Sequence, residues 1–319
     1  SAGWDVPPTG LRGLTAGPNE IMAGFVGKQV CLSAQGYPHA WPINFRLTCD
    51  VEIAAIAWKD ATLAVLTKSF PYTAWGDTPD AFSMSKETFT AGCISKRSVA
   101  YQRGFGVIYA TPDGLVAYGS QGSAPLITAD YFTKEQWKDL NPASIIGVVH
   151  DDRYFFWYQK LDGTKGGYVL DTRQDSFGLV RLSFHVTAAY VDPLTDTLNF
   201  CVDSGSFRDL TEAVVSGPAN AVVVWNAATA LRTSRLWRSR KHQLPRPTTF
   251  NVCKVKAFDY SDLTLKLYMD GVLFMTKTVT SERAFVIPVF KAGTTFEYQF
   301  EGTSRANTFQ VAEDVAELE

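Results

Sequence analysis

Five times along this 319-residue chain, a short apolar run, a turn and a second apolar run follow one another. The copies are Ile21–Phe25 with Val30–Leu32, Ile53–Ala57 with Leu63–Leu66, Ser98–Tyr101 with Val107–Tyr109, Ile145–Val149 with Tyr154–Trp157, and Thr187–Val191 with Leu198–Val202. Centred on Cys31, Ala64, Ile108, Phe155 and Asn199, the second runs recur after 33, 44, 47 and 44 residues. Runs this short are strands, and a pair of them cannot bury its apolar faces alone. Stacking against the next copy buries them, and a spacing of roughly 40–50 residues is that of β-propeller blades.

The details fit that reading. The first runs are rich in small residues (Ala54, Ala55, Gly147, Ala188, Ala189), which suit crowded inner strands. The intervening turns carry Gly27-Lys28, Lys59-Asp60, Arg103-Gly104, Asp151-Asp152 and Asp192-Pro193, all residues that favour turns. Third strands are expected at His39–Phe45, Tyr72–Trp75, Leu115–Tyr118, Tyr168–Asp171 and Val222–Trp225, and Pro112-Asp113-Gly114 is a strong turn signal. The best helix is Thr133–Leu140, with Thr133 as N-cap and Gln136 completing a capping box. After Pro245-Arg246-Pro247, five further strands are expected at Val252–Phe258, Leu263–Met269, Val272–Thr278, Ala284–Ile287 and Thr295–Phe300, with a tight hairpin at Asp270-Gly271. The expected fold is all-β: a β-propeller of antiparallel blades over residues 1–247, followed by a small β-sandwich over residues 248–319.

Hydrophobic residues make up 46% of the chain, enough for a large core, and charged residues only 19%. The net charge of −2 argues against wholesale wrapping of nucleic acid. The charge is uneven, because no Asp or Glu occurs from Ala213 to Phe258 while Arg232, Arg235, Arg238, Arg240, Lys241 and Arg246 all fall there. This basic run reads as a positive stripe against phosphate or an acidic neighbouring subunit, or as a charged edge strand that resists aggregation. As a strand it would place Leu236, Arg238, Arg240 and His242 on one face. A subunit contact is preferred to DNA, since a ring of such cations would hold phosphate firmly.

Five scattered cysteines without a CxxC pair suggest reduced, mostly buried thiols made in a cytoplasm, with Cys31 and Cys201 inside apolar runs. No run approaches ~18 apolar residues, so no membrane span is expected. The chain starts Ser-Ala-Gly-Trp without Met, which suggests processing or a longer product. The four histidines show no metal spacing, and His150-Asp151-Asp152 reads as a solvated hairpin. No P-loop, GxSxG or dinucleotide motif occurs, and the carboxylates Asp50, Glu52, Asp60, Asp77, Asp80, Asp130 and Asp203 lack the apolar surroundings of a general acid. No cofactor and no enzyme activity are expected. Tyr37-Pro38-His39-Ala40-Trp41-Pro42 reads as a rigid corner packed by Trp41, or as an aromatic that stacks on sugar, the corner being preferred.

Several strings together resemble bacteriophage tail proteins of the β-propeller nozzle or tail-hub type, also called packaged-DNA stabilisation proteins. They are Pro38–Pro42, Leu63–Thr67 with Pro71-Tyr72, Cys93–Val99, Ile108–Val116 and Leu267–Gly271, and the likeness runs from about Trp4 to Leu318. At Ala34-Gln35-Gly36 the chain departs from the Ser-Glu-Pro-like string expected there. The resemblance implies a virion tail component made in the host cytoplasm. It implies copies in a ring around the tail axis, adaptor or portal-side partners, and transient contact with viral DNA that is retained and then passed on ejection. It supplies no catalytic residues. The rival readings are a carbohydrate-binding or glycan-processing propeller of a host-recognition protein, and a cellular scaffold propeller.

Overall fold

The structure, a computed structural model, describes residues 5–119, 124–173, 178–182, 184–203, 205–207, 220–225, 235–288 and 291–318. Two compact units form. One joins Ser1–Gly178 to Val186–Cys201, and the other joins Leu179–His185 to Val202–Glu319.

The first unit is a succession of antiparallel meanders. Strands β1 (Arg12–Ala16), β2 (Met22–Val26), β3 (Gln29–Leu32) and β4 (Arg46–Thr48) pair in order. So do β5 (Ile53–Lys59), β6 (Thr62–Thr67), β7 (Tyr72–Trp75) and β8 (Ser83–Lys86). Strands β9 (Ala100–Gln102), β10 (Gly106–Thr111) and β11 (Gly114–Tyr118) form the third meander. The fourth contains β12 (Ile146–His150), β13 (Arg153–Gln159) and β14 (Lys165–Asp171). β15 (Leu179–Leu182) belongs to the second unit, and β16 (Ala188–Asp192) pairs β17 (Thr197–Val202) in the fifth. The first strand of each meander lies against the first strand of the next, β1 on β5, β5 on β9, β9 on β12 and β12 on β16. This is the blade succession of a β-propeller.

Blade stacking explains why the second strands read as unbroken apolar runs. On β6, Leu63 and Val65 pack into the core shared with the first blade, while Ala64 and Leu66 pack into the core shared with the third. Side chains alternate across a strand, so a strand covered on both faces needs apolar residues at every position. β13 repeats the device: Tyr154 and Phe156 turn towards the third blade and the helix, where Trp137 lies 6.4 Å from Phe156, and Phe155 and Trp157 turn towards Phe200 of the fifth blade. The helix α1 (Lys134–Asp139) carries the expected capping box, Thr133 with Gln136, and buries Trp137, whose indole donates to Thr111 O at 2.9 Å.

The first blade departs from expectation. β1 precedes the first apolar pair, so that pair forms the second and third strands instead of the first and second. Its matching centre is therefore Gly24 on β2, 40 residues before Ala64, and the anomalous spacing of 33 disappears. The expected third strand at His39–Phe45 is instead a corner and a 3-10 turn, with the strand following as β4. Trp41 anchors that corner at 2% exposure, its indole donating to Pro38 O at 2.9 Å and its amide to Asp5 O at 2.8 Å.

In the second unit, β18 (Ala221–Val224) is followed by β19 (Arg235–Arg238), β20 (His242–Thr248), β21 (Val252–Ala257), β22 (Thr264–Met269), β23 (Val272–Thr278), β24 (Phe285–Val286), β25 (Gly293–Gly302) and β26 (Ala306–Ala312). One sheet runs β19-β25-β22-β23 with β20 also on β25, and the other runs β24-β21-β26. Cys253 and Val255 from one sheet and Leu265, Leu267, Met269 and Phe296 from the other share a core, which makes a β-sandwich. The boundary expected at residue 247 is not where pairing changes, because β19 and β20 both hydrogen-bond to β25. The basic run is thus an edge of the sandwich sheet.

The β22–β23 hairpin turns at Asp270 (φ 52°) and Gly271 (φ 77°). Two consecutive positive φ angles define the type I′ turn. Gly271→Val is expected to destabilise the sandwich by about 1–2 kcal/mol, the cost of forcing a side chain into the left-handed region. Urea unfolding with unchanged stability would count against the turn.

Cys31, Cys49, Cys93 and Cys253 are buried, and burial pushes Cys93 and Cys253 up to about 12. Cys201 is exposed, contrary to the expectation from its apolar run, because it sits on the open side of β17. Native iodoacetamide labelling should therefore modify Cys201 first, with the other four reacting only on unfolding. Rapid labelling of Cys93 would contradict this packing.

Candidate functional site

The basic run does not form a continuous stripe. Arg232 lies outside the described residues, as does the side chain of Arg235. Arg238 pairs with Gln299 of β25 and His242 with Phe296, so Ser239–Lys241 oppose only Glu297 and Tyr298. One extra residue is a bulge, and it shifts the alternation by one. Arg238 consequently points to the outer face, while His242 stacks on Tyr298 on the core side at 6.1 Å. The expected sharing of one face by Arg238 and His242 is corrected by this bulge. Arg240, Lys241 and Arg246 remain exposed.

Arg238 is engaged within its own sheet. Its Nε donates to Glu297 Oε2 at 2.9 Å, and its guanidinium lies 3.8 Å from the Tyr268 ring centre. Lys266 Nζ meets Glu301 Oε1 at 2.6 Å, Gln299 Nε2 donates to the same oxygen at 2.5 Å, and Tyr268 OH donates to Gln299 Oε1 at 3.2 Å. Glu297 and Gln299 are 5% and 6% exposed. The outer face of this sheet is thus a packed polar ladder, with Arg238 as the counter-ion of a buried carboxylate.

A second constellation was not visible in the sequence. Lys59, at the end of β5, is 5% exposed, and its Nζ donates to Gly119 O at 2.8 Å and lies 4.2 Å from the Tyr118 ring centre. Glu87 accepts from Thr73 Oγ1 at 2.7 Å and from the Tyr118 hydroxyl. Burial lowers the Lys59 pKa, with Glu87 and Asp60 opposing that shift. A buried lysine beside a tyrosine and a carboxylate is the raw material of acid–base chemistry. Here each group is consumed by a protein partner, and the result is a polar clasp between the second and third blades. Similar stitches recur at the next joint, between the third and fourth blades, where Tyr154 OH donates to Ser98 O at 2.6 Å, Ser95 Oγ to Ile145 O at 2.7 Å, and Thr172 Oγ1 to Gln102 Oε1 at 2.5 Å.

The turns that follow the first strands all emerge on one side of the propeller unit. Gly17 abuts the Trp58 ring, Tyr101 OH donates to Asp60 Oδ1 at 2.5 Å, Thr172 links Gln102 to Asp152 O, and His150 Nδ1 lies 3.7 Å from Asp196. These links tie successive turns end to end. That side carries Glu20, Asp60, Asp151, Asp152, Asp192 and Asp196 against Arg103 and Arg153, the latter paired with Asp151 at 2.9 Å, so acids outnumber cations among these turns. Among the described residues, no group of three or more His, Cys, Asp or Glu side chains is arranged to hold a metal ion. Among the described residues, no helix is long and apolar enough to cross a membrane.

No protein-family model matches the chain, and no curated protein matches it. Among solved structures, the WD40 domain of coronin from Toxoplasma gondii is similar at 11% identity with a TM-score of 0.42, over 92% of this chain and 70% of that one. An exo-β-1,3-galactanase from Phanerochaete chrysosporium is similar at 10% identity with a TM-score of 0.30, over 94% and 95% of the two chains. A glycoside hydrolase follows at 10% identity with a TM-score of 0.27. These likenesses are too distant to carry a functional argument; the fold assignment rests on the strand pairing and blade contacts described above.

Proposed function

We propose that this chain is a structural, non-enzymatic component of a bacteriophage tail, of the nozzle or hub type, built from copies arranged around the DNA channel. One observation carries the reading: the strings that resemble the tail family sit at structural joints. Cys93–Val99 supplies the Ser95 and Ser98 stitches to the fourth blade, and the Arg97 guanidinium donates to Thr187 O beside the fifth. Pro38–Pro42 is the Trp41 corner, Tyr72 accepts from the Asp50 amide at 3.1 Å, and Leu267–Gly271 is the sandwich hairpin. A chain whose distinctive residues brace blades against one another is suited to bearing load in an assembly. The acidic turn side adds support, since a surface near passing DNA that repels phosphate does not stall it.

The partners in this reading are further copies of the chain, adaptor or portal-side proteins and, transiently, DNA. Arg240, Lys241 and Arg246 are the exposed cations available to an acidic neighbouring copy. Native mass spectrometry of the purified chain, alone and with its tail partners, tests the proposal. A closed cyclic oligomer is expected. A persistent monomer that hydrolyses oligosaccharides would overturn it.

A further inference from the structure

Between the end of β19–β25 and β26 lies a cleft of about 440 Å³, within the size range of small-molecule sites. Its walls include Val180, Trp237, Tyr298, Phe300 and Phe309, and Arg305 and Asn307 also line it. The aromatic wall follows from strand alternation: Tyr298 and Phe300 are the core-facing residues of β25, while Glu297 and Gln299 face outward. Trp237 is on the same side, with ring centres 5.2 Å from Tyr298 and 6.2 Å from Phe300. In a closed sandwich these rings would be fully covered, yet all four remain half-buried.

Two polar atoms on the aromatic wall make no hydrogen bond among the described residues. They are the Trp237 indole Nε1 and the Tyr298 hydroxyl, one a donor only and the other a donor and acceptor. The Asn307 carboxamide at the rim is likewise exposed and uncommitted. An aromatic wall with neutral donors and acceptors at its edge matches a ligand that has apolar C–H faces and equatorial hydroxyls. We infer that this cleft is a binding site for a neutral sugar, of mono- or disaccharide size, held by stacking on Trp237 and by hydrogen bonds to Tyr298 and Asn307.

The charges decide between a sugar and the other flat ligand that aromatic walls accept, a nucleotide. A nucleotide needs a cation for its phosphate. Among the described residues the cation lining the cleft is Arg305, whose guanidinium lies over the Phe258 ring at 5.1 Å, while the Glu301 carboxylate is taken by Lys266 and Gln299 on the outer face. The described polar groups left for a ligand, Trp237 Nε1, the Tyr298 hydroxyl and the Asn307 carboxamide, are therefore neutral, which suits a sugar hydroxyl better than a phosphate. The inference is independent of the tail reading, because it concerns the sandwich alone.

The test is saturation-transfer NMR on the full chain with glucose, galactose, N-acetylglucosamine and their disaccharides, with dAMP as control. At least one sugar should receive saturation on its C–H protons and bind at least tenfold more tightly than dAMP. Asn307→Ala, at an exposed position that leaves the core intact, should weaken that sugar about fivefold, the loss of one hydrogen bond. Trp237→Ala should abolish binding; should that variant fail to fold, Asn307→Ala still decides. Absence of saturation transfer to every sugar, binding unaffected by Asn307→Ala, or preference for dAMP would each overturn the inference.

Discussion

Replacing Arg238 by glutamate is expected to destabilise the C-terminal sandwich by about 3 kcal/mol or more. Removing one partner of a buried ion pair costs roughly 3–5 kcal/mol, because the remaining charge is left without compensation. Glu297 is that charge, with its side chain 7% exposed, and Arg238 at 38% exposure places the expected cost at the lower end before repulsion is added. The new carboxylate would also lie over the electron-rich face of Tyr268. Hydrogen exchange should show loss of protection in β22 and β25, while β6, β10 and β13 of the propeller unit keep theirs. The double variant Arg238→Met with Glu297→Leu should recover most of the loss, since well-packed apolar pairs often replace buried ion pairs without cost. Full retention of sandwich protection in Arg238→Glu would mean that Arg238 is free for an external partner after all.

Trp157→Ala should lower the stability of the propeller unit by about 3–5 kcal/mol, the usual cost of deleting a large aromatic from a core. Trp157 is fully buried, packs 5.1 Å from Phe200 and 6.2 Å from Phe155, and occupies space that only a glycine at position 167 leaves open. A Cβ on Gly167 would come within 2.3 Å of the indole. The lost volume lies where the fourth and fifth blades meet, so exchange should rise first in β16 and β17. A loss below about 1 kcal/mol, the scale of an ordinary surface substitution, would mean that the two blades do not depend on this contact.

The blades could be read from the sequence because strands covered on both faces leave unbroken apolar runs such as Leu63–Leu66 and Tyr154–Trp157. Turn chemistry located the hairpins, as at Asp151-Asp152 and Asp270-Gly271, where positive φ is required. β1 was missed because Arg12–Ala16 is largely exposed and has no apolar run to mark it. The basic run was misplaced for a different reason. Charge density shows that cations are clustered, but not which carboxylate they meet, and Glu297 is 59 residues away from Arg238 in the chain. The bulge at Ser239–Lys241 also reverses the faces that strict alternation assigns. The Lys59 clasp was hidden in the same way, since Tyr118 and Glu87 reach it only after two blades pack together. The aromatic cleft depends on how β19, β25 and β26 come together, and that is a property of the fold alone.

The proposed role as a structural part of a phage tail is open to direct test. The most direct measurement is mass spectrometry and electron cryomicroscopy of purified particles from cells that produce it. The account predicts the chain in the particles at a fixed copy number that matches the tail symmetry, with propeller and sandwich density around the tail axis. Its recovery only outside the particles, as free monomer, would contradict the account.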